Sequence, residues 1–175
     1  MTDDNRAVRR TGLGMMLLFW MLFIGAGTWW FHGYLENQRN PNAHLVNAVN
    51  GDGEPLVLER NRGGHFVATG RINGEPVEFL LDTGATYVAV SADLAERLGL
   101  DASGSAWFNT ANGRVRGDLT TLDEVSLGGF AAHQVRGSIS PGMEGDVALL
   151  GMSFLNRFDI QIRDARMVLS PAGQR

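Results

Sequence analysis

Apolar and polar residues follow three different patterns along the chain. From residue 13 to residue 31 there is no charged side chain, and Leu, Met, Phe, Trp and Ile dominate. Nineteen residues rising about 1.5 Å each make a helix of roughly 28 Å, matched to the ~30 Å hydrocarbon layer of a bilayer. Arg6, Arg9 and Arg10 precede this run, so residues 1–12 are expected on the cytoplasmic side. Trp29, Trp30 and Phe31 end it as an interfacial aromatic belt would. A cleaved signal peptide is the competing reading, with Gly25-Ala26-Gly27 as its small-residue site. The unbroken length and the aromatic end favour a retained anchor over residues 13–31. The rest of the chain is then carried outside the cytoplasm, as the periplasmic or extracytoplasmic part of an inner-membrane protein.

Residues 32–62 change character. Asn, Gly, Glu, Pro and Arg punctuate short apolar pieces, which reads as a linker with one strand near Pro55-Leu56-Val57-Leu58. From 63 to 172 the pattern is one of short strands. Residues 65–72 and 77–81 are rich in branched and aromatic side chains, and Asn73-Gly74 between them is the dipeptide of a type I′ hairpin. A strand at 87–90 leads to Ser91, which caps a short helix carrying Leu94 and Leu98 and ending at Gly99. A second Asn-Gly turn, Asn112-Gly113, joins strands at 107–110 and 114–116. Further strands are expected at 119–127, 131–139 and 147–150, then a helical turn at 153–157 and a closing hairpin around 163–166. Many turn-separated strands with little helix predict an all-β closed barrel as one domain.

Charge and composition then remove function classes. The net charge is −4 and no Arg-rich run follows residue 10, so no basic face for nucleic acid is expected. All fifteen basic residues are Arg. Without Lys there is no Schiff base, no Ser-Lys dyad and no P-loop. Without Cys there is no thiol nucleophile, zinc-thiolate site or disulfide. His32, His44, His65 and His133 lack metal-ligand spacing, so neither metal nor cofactor is expected. Gly151-Met152-Ser153-Phe154-Leu155 fails the G-x-S-x-G pattern at its last position, which argues against a serine hydrolase.

Asp82 remains. It follows Leu80-Leu81 at the end of an apolar strand, where a carboxylate loses hydration, and precedes Thr83-Gly84-Ala85. Gly84 permits a tight turn with backbone N–H groups near that carboxylate, and Thr83 adds a short hydroxyl. By itself the tripeptide also fits a turn aspartate bonding its own backbone. Three elements in order give it weight: the Leu80-Leu81-Asp82-Thr83-Gly84-Ala85 run, the Asn112-Gly113 hairpin, and Leu149-Leu150-Gly151. Together they resemble the retropepsin-like aspartic proteases, in particular bacterial membrane-anchored single-domain members.

The resemblance implies an acid-protease barrel over about residues 63–171 and an aspartic endopeptidase acting on peptides or proteins. It implies catalysis by Asp82, with Thr83, Gly84, Ala85, Leu150 and Gly151 supporting the site. It also implies a substrate-covering flap at Thr110, Ala111, Asn112 and Gly113, although this flap departs from the Gly-rich viral pattern. Paired carboxylates about 3 Å apart share one proton, so one can activate water while the other polarises the substrate carbonyl. The chain holds one D-T-G, and Asp118, Asp123, Glu124, Asp146, Asp159 and Asp164 read as solvated or turn residues. A homodimer, each copy giving Asp82, supplies the pair. The alternative is an inactive peptide-binding or scaffold domain of the same fold.

Overall fold

The computed structural model describes residues 3–47, 54–110 and 113–173. These form two units, the N-terminal helix to residue 38 and a β-rich unit from residue 39.

Helix α1, Asp3–Arg39, is 37 residues long, or about 55 Å. Its stretch Gly12–Arg39 is long and apolar enough to cross a membrane. The apolar side chains of residues 13–31 are solvent-exposed on every side, as lipid-facing side chains must be. The helix runs past the expected end at residue 31. His32 Nε2 lies 3.2 Å from Glu36 one turn later, and Arg39 occupies the last turn, where a cation suits the helix dipole.

In the second unit, β2 (Phe66–Ile72) and β3 (Glu75–Leu81) pair antiparallel around Asn73 and Gly74, both with positive φ (50° and 86°) as a type I′ turn requires. Next come β4 (Val88–Ser91), helix α2 (Ala92–Arg97), β5 (Gly104–Thr110), β6 (Gly113–Leu127), β7 (Phe130–Ser140) and β8 (Val147–Leu150). Ser91 Oγ accepts from Leu94 N and caps α2, as its sequence predicts. The strands lie in the order β2-β3-β8-β4-β7-β6-β5, and a further β2–β6 pairing closes the ring into a barrel. The β2–β6 crossing needs a glycine at position 70, because a Cβ there would lie 2.3 Å from Ser126 O. Phe79, Val88, Val90, Leu122, Val125, Leu150 and Phe154 fill the interior.

Helix α3 (Met152–Leu155), β9 (Phe158–Arg163) and β10 (Arg166–Pro171) follow, and β10 lies between β9 and β1 (Leu56–Glu59) in a separate three-stranded sheet. Asp164, at φ 52°, makes the β9–β10 turn. The expectation of a linker over 32–62 is therefore corrected. Leu45, Leu56 and Leu58 are core residues, and the packed unit begins at Arg39. Asn42, 1% exposed, donates to Glu59 O (2.9 Å) and Val67 O (2.7 Å) and accepts from Glu59 N (2.8 Å). Asn40 Nδ2 reaches Thr69 Oγ1, and Arg39 pairs with Glu78 at 2.8 Å. Sequence patterning missed this because the apolar pieces are short and the asparagine bonds that help hold the segment to the sheet leave no periodic signal.

Asn42→Ala removes the side-chain partner of one buried backbone group, Val67 O, and of two part-buried ones, Glu59 N and O, and is expected to destabilise the β-rich unit by about 2 kcal/mol. A linker asparagine would change it by at most about 0.5 kcal/mol. Chemical denaturation of the full chain in detergent distinguishes the two.

Candidate active site

Strand β3 ends at Leu81, and the chain then turns through Asp82, Thr83, Gly84 and Ala85 before entering β4. Strand β8 lies between β3 and β4, parallel to β3 with Leu81 opposite Leu150. The turn must therefore bridge over the end of β8. Two backbone hydrogen bonds hold it there: Asp82 N to Leu150 O (3.2 Å) and Met152 N to Ala85 O (2.8 Å). A third, Ser153 N to Thr86 O (2.9 Å), continues the contact into α3.

Gly151 sits beneath the turn. A Cβ at this position would lie 2.2 Å from Tyr87 O and 2.7 Å from Ala85 O, so no larger residue fits without moving backbone. Leu150, fully buried, fixes the same strand from the core side. Thus the two sequence elements expected to meet, Asp82 to Ala85 and Leu150-Gly151, are in direct contact.

Asp82 is half-buried, and Thr83 and Gly84 are exposed. Gly84 N donates to Asp82 Oδ1 at 2.8 Å, which fixes one carboxylate oxygen. Among the described residues Oδ2 has no protein partner. Among the described residues no other acid bonds to Asp82: Asp146 pairs with Arg97 at 2.7 Å, Asp123 accepts from Gln134, and Asp164 lies in the β9–β10 turn. Among the described residues no three His, Asp or Glu side chains converge on a metal-sized site.

The β5–β6 hairpin touches the segment leaving this loop through an aromatic contact. Phe108 on β5 meets the Tyr87 ring edge-on, with centroids 6.0 Å apart. Thr110 and Gly113 are the last paired positions of the hairpin. Ala111 and Asn112, expected at its tip, lie outside the described residues.

Sequence reasoning missed two residues that shape the site. Ser153 Oγ accepts from Val88 N (3.0 Å) and donates to Arg136 O (2.7 Å), tying α3, β4 and β7 together. Its failure as a nucleophile motif hid its use as a clamp. Tyr87 packs between Phe108 and the Arg136 guanidinium, whose carbon lies 5.2 Å from the ring centroid. No spacing signal links these three positions, since they meet only through the β4–β7 pairing and the hairpin fold.

Residues 68–157 match the family of gag-polyprotein putative aspartyl proteases. A crystal structure of a retropepsin-like aspartic protease from Rickettsia conorii is similar over 69% of this chain and 92% of that one, with 30% identity and a TM-score of 0.56. An uncharacterized protein in the cobV 5' region of a Sinorhizobium species is 33% identical over 84 residues. The uncharacterized protein RP867 of Rickettsia prowazekii (strain Madrid E) matches to the same extent. Each match covers 46% of this chain, which spans only 36% of the length of these two curated relatives.

Gly151→Ala is expected to push the loop off β8 and lower stability by about 1–3 kcal/mol, the range for overpacking a tight interior. Thermal melting of the variant against wild type checks this; an unchanged Tm would show that the loop is not seated on β8.

Proposed function

The chain belongs to the retropepsin-like aspartic protease family, and from that premise we propose that it is an aspartic endopeptidase completed by a second copy of itself. One observation carries the reading. Asp82 stands on a loop held at three backbone points, yet the described residues offer it no second carboxylate.

In the proposed dimer, the exposed Thr83-Gly84 side of the loop faces the two-fold axis and brings Asp82 to about 3 Å from the partner subunit's Asp82, where like charges force the pair to share one proton. The Gly84 N–H holds Oδ1, leaving Oδ2 to face the partner and the water. The ionised carboxylate takes a proton from a water molecule as its oxygen attacks the scissile carbonyl carbon. The protonated carboxyl gives its proton to the carbonyl oxygen, forming a gem-diol. Collapse breaks the C–N bond, and a carboxyl proton passes to the leaving amine. No covalent intermediate is required. Thr83 would steady the axis by contact with its counterpart. The β5–β6 hairpin would lie over the peptide, excluding water and offering backbone groups for strand pairing.

The three-stranded sheet supports association as well. Among the described residues its outer strand β9 has no strand on its far side, and a second copy can add a strand there. Helix α1 would anchor the enzyme in the inner membrane, with the protease unit on the periplasmic or extracytoplasmic side as the Arg6, Arg9 and Arg10 bias suggests.

A peptide-binding domain without catalysis is the second reading. It is favoured by the Asp82 carboxylate bonding within its own loop, as an ordinary turn aspartate does.

The full chain in detergent is expected to cleave peptides. Specific activity should fall on dilution as dimers dissociate. Asp82→Asn should lower kcat/KM by about 10³-fold or more while leaving the dimer intact by light scattering. An Asp82→Asn dimer that cleaves as well as wild type would rule the mechanism out.

A further inference from the structure

A cavity of about 270 Å³ opens beside the Asp82 loop, lined in part by Thr86, Tyr87, Gln134, Arg136, Ser153 and Arg157. Two arginines, Arg136 and Arg157, are among the lining residues. The Arg136 side chain lies over the Tyr87 ring. Arg157 is held by its Nη1 to His133 O (2.7 Å) and its Nη2 to Gln134 O (3.3 Å). Among the described residues neither guanidinium has a carboxylate within ion-pair distance. The acids on the neighbouring strand are engaged elsewhere: Asp123 accepts from Gln134, and Glu124 faces His133 at 3.7 Å.

The backbone beside the cavity is unusual too. Among the described residues three non-glycine residues have positive φ: Asn73 and Asp164 in hairpin turns, and Gln134 (φ 52°) inside strand β7. A glutamine in that conformation mid-strand carries strain that turn residues do not, and such strain gathers at binding sites. The kink is at the residue whose carbonyl, with that of His133, holds Arg157.

We propose that this cavity is a specificity pocket that binds an acidic side chain of the peptide substrate. The inference rests on the protease reading and names a substrate class for it. Planar guanidiniums match a carboxylate in two-point geometry, and Thr86 lines the same space, while the Ser153 hydroxyl donates to Arg136 O and the Gln134 amide to Asp123. Tyr87 lies five residues after Asp82, so at most about 18 Å of chain separates the pocket from the reacting centre. An extended peptide rising about 3.4 Å per residue crosses that distance in about five residues. The acidic residue therefore lies within about five positions of the scissile bond. The Ser153 bond to Arg136 O ties the pocket wall to the strand leaving the Asp82 loop, so pocket and loop are held in one geometry.

The test takes a peptide cleaved by the full chain in detergent and places Glu, or its neutral isostere Gln, at each of five positions on either side of the bond. At one or two positions Glu should raise kcat/KM about tenfold over Gln, the value of one good charge-assisted contact, and salt should erode the advantage. Arg136→Gln and Arg157→Gln should each lower that Glu/Gln ratio. Arg136→Lys should keep part of it, and Arg157→Glu should shift preference toward a Lys-bearing peptide. Thermal melts of each variant confirm folding. A ratio near one at every position, or one unchanged in both Gln variants, overturns the pocket while leaving the protease intact. A ratio unchanged alongside a weakened dimer overturns it in favour of a carboxylate from the second copy. A wild-type chain that cleaves no peptide overturns both readings.

Discussion

The site depends on one steric constraint: strand β8 passes between two strands that are consecutive in sequence. Because β3 and β4 flank β8, the segment joining them must cross over its end, and only a residue without a side chain can lie under that crossing. Gly151 meets this need, and its neighbours supply the carbonyl and amide groups that hold Asp82 and Ala85. The exposure of Thr83 and Gly84 follows, since the loop is lifted off the core while its two ends remain fixed. Leu80-Leu81 and Leu149-Leu150 matter for the same reason, as they set the parallel register that aligns the loop with the glycine.

Residues beyond the loop are bound into the same unit. Ser153 joins α3 to β4 and β7, while Tyr87 links the loop to Phe108 of the hairpin and to Arg136. A change in the hairpin can thus be felt at Tyr87, five residues from Asp82, without disturbing the barrel interior.

Much of this architecture was legible in the sequence because it rests on local signals. Asn73-Gly74 is bound to a particular turn by its tolerance of positive φ, and Ser91 is bound to a cap by its hydroxyl. The apolar strands ending in Asp82 and Gly151 identified each other through spacing and family resemblance. What stayed hidden depends on contacts between distant polar residues. Asn40 and Asn42 look like linker residues, yet their amides replace strand pairing and draw 39–47 into the folded unit. Tyr87, Arg136 and Arg157 carry no motif and converge only after β4 pairs with β7. The length of α1 was underestimated for a related reason: an apolar run marks where a helix meets lipid, not where its hydrogen bonding stops.

The barrel's closure has a mechanical consequence. Strand β2 holds β3 through seven residue pairs but meets β6 through two, Arg71 with Ser126 and Ile72 with Val125, continued by two hydrogen bonds between Asn73 and Glu124. A ring fastened so unevenly behaves like a bracelet with a weak clasp. Local opening at that clasp breaks few hydrogen bonds, so backbone amides there exchange with solvent ahead of those along the long β6–β7 ladder. Strand β3 stays paired with β8 from Glu78 to Leu81, so the Asp82 end of that arm is held while the clasp opens and the β6–β7 wall keeps its shape.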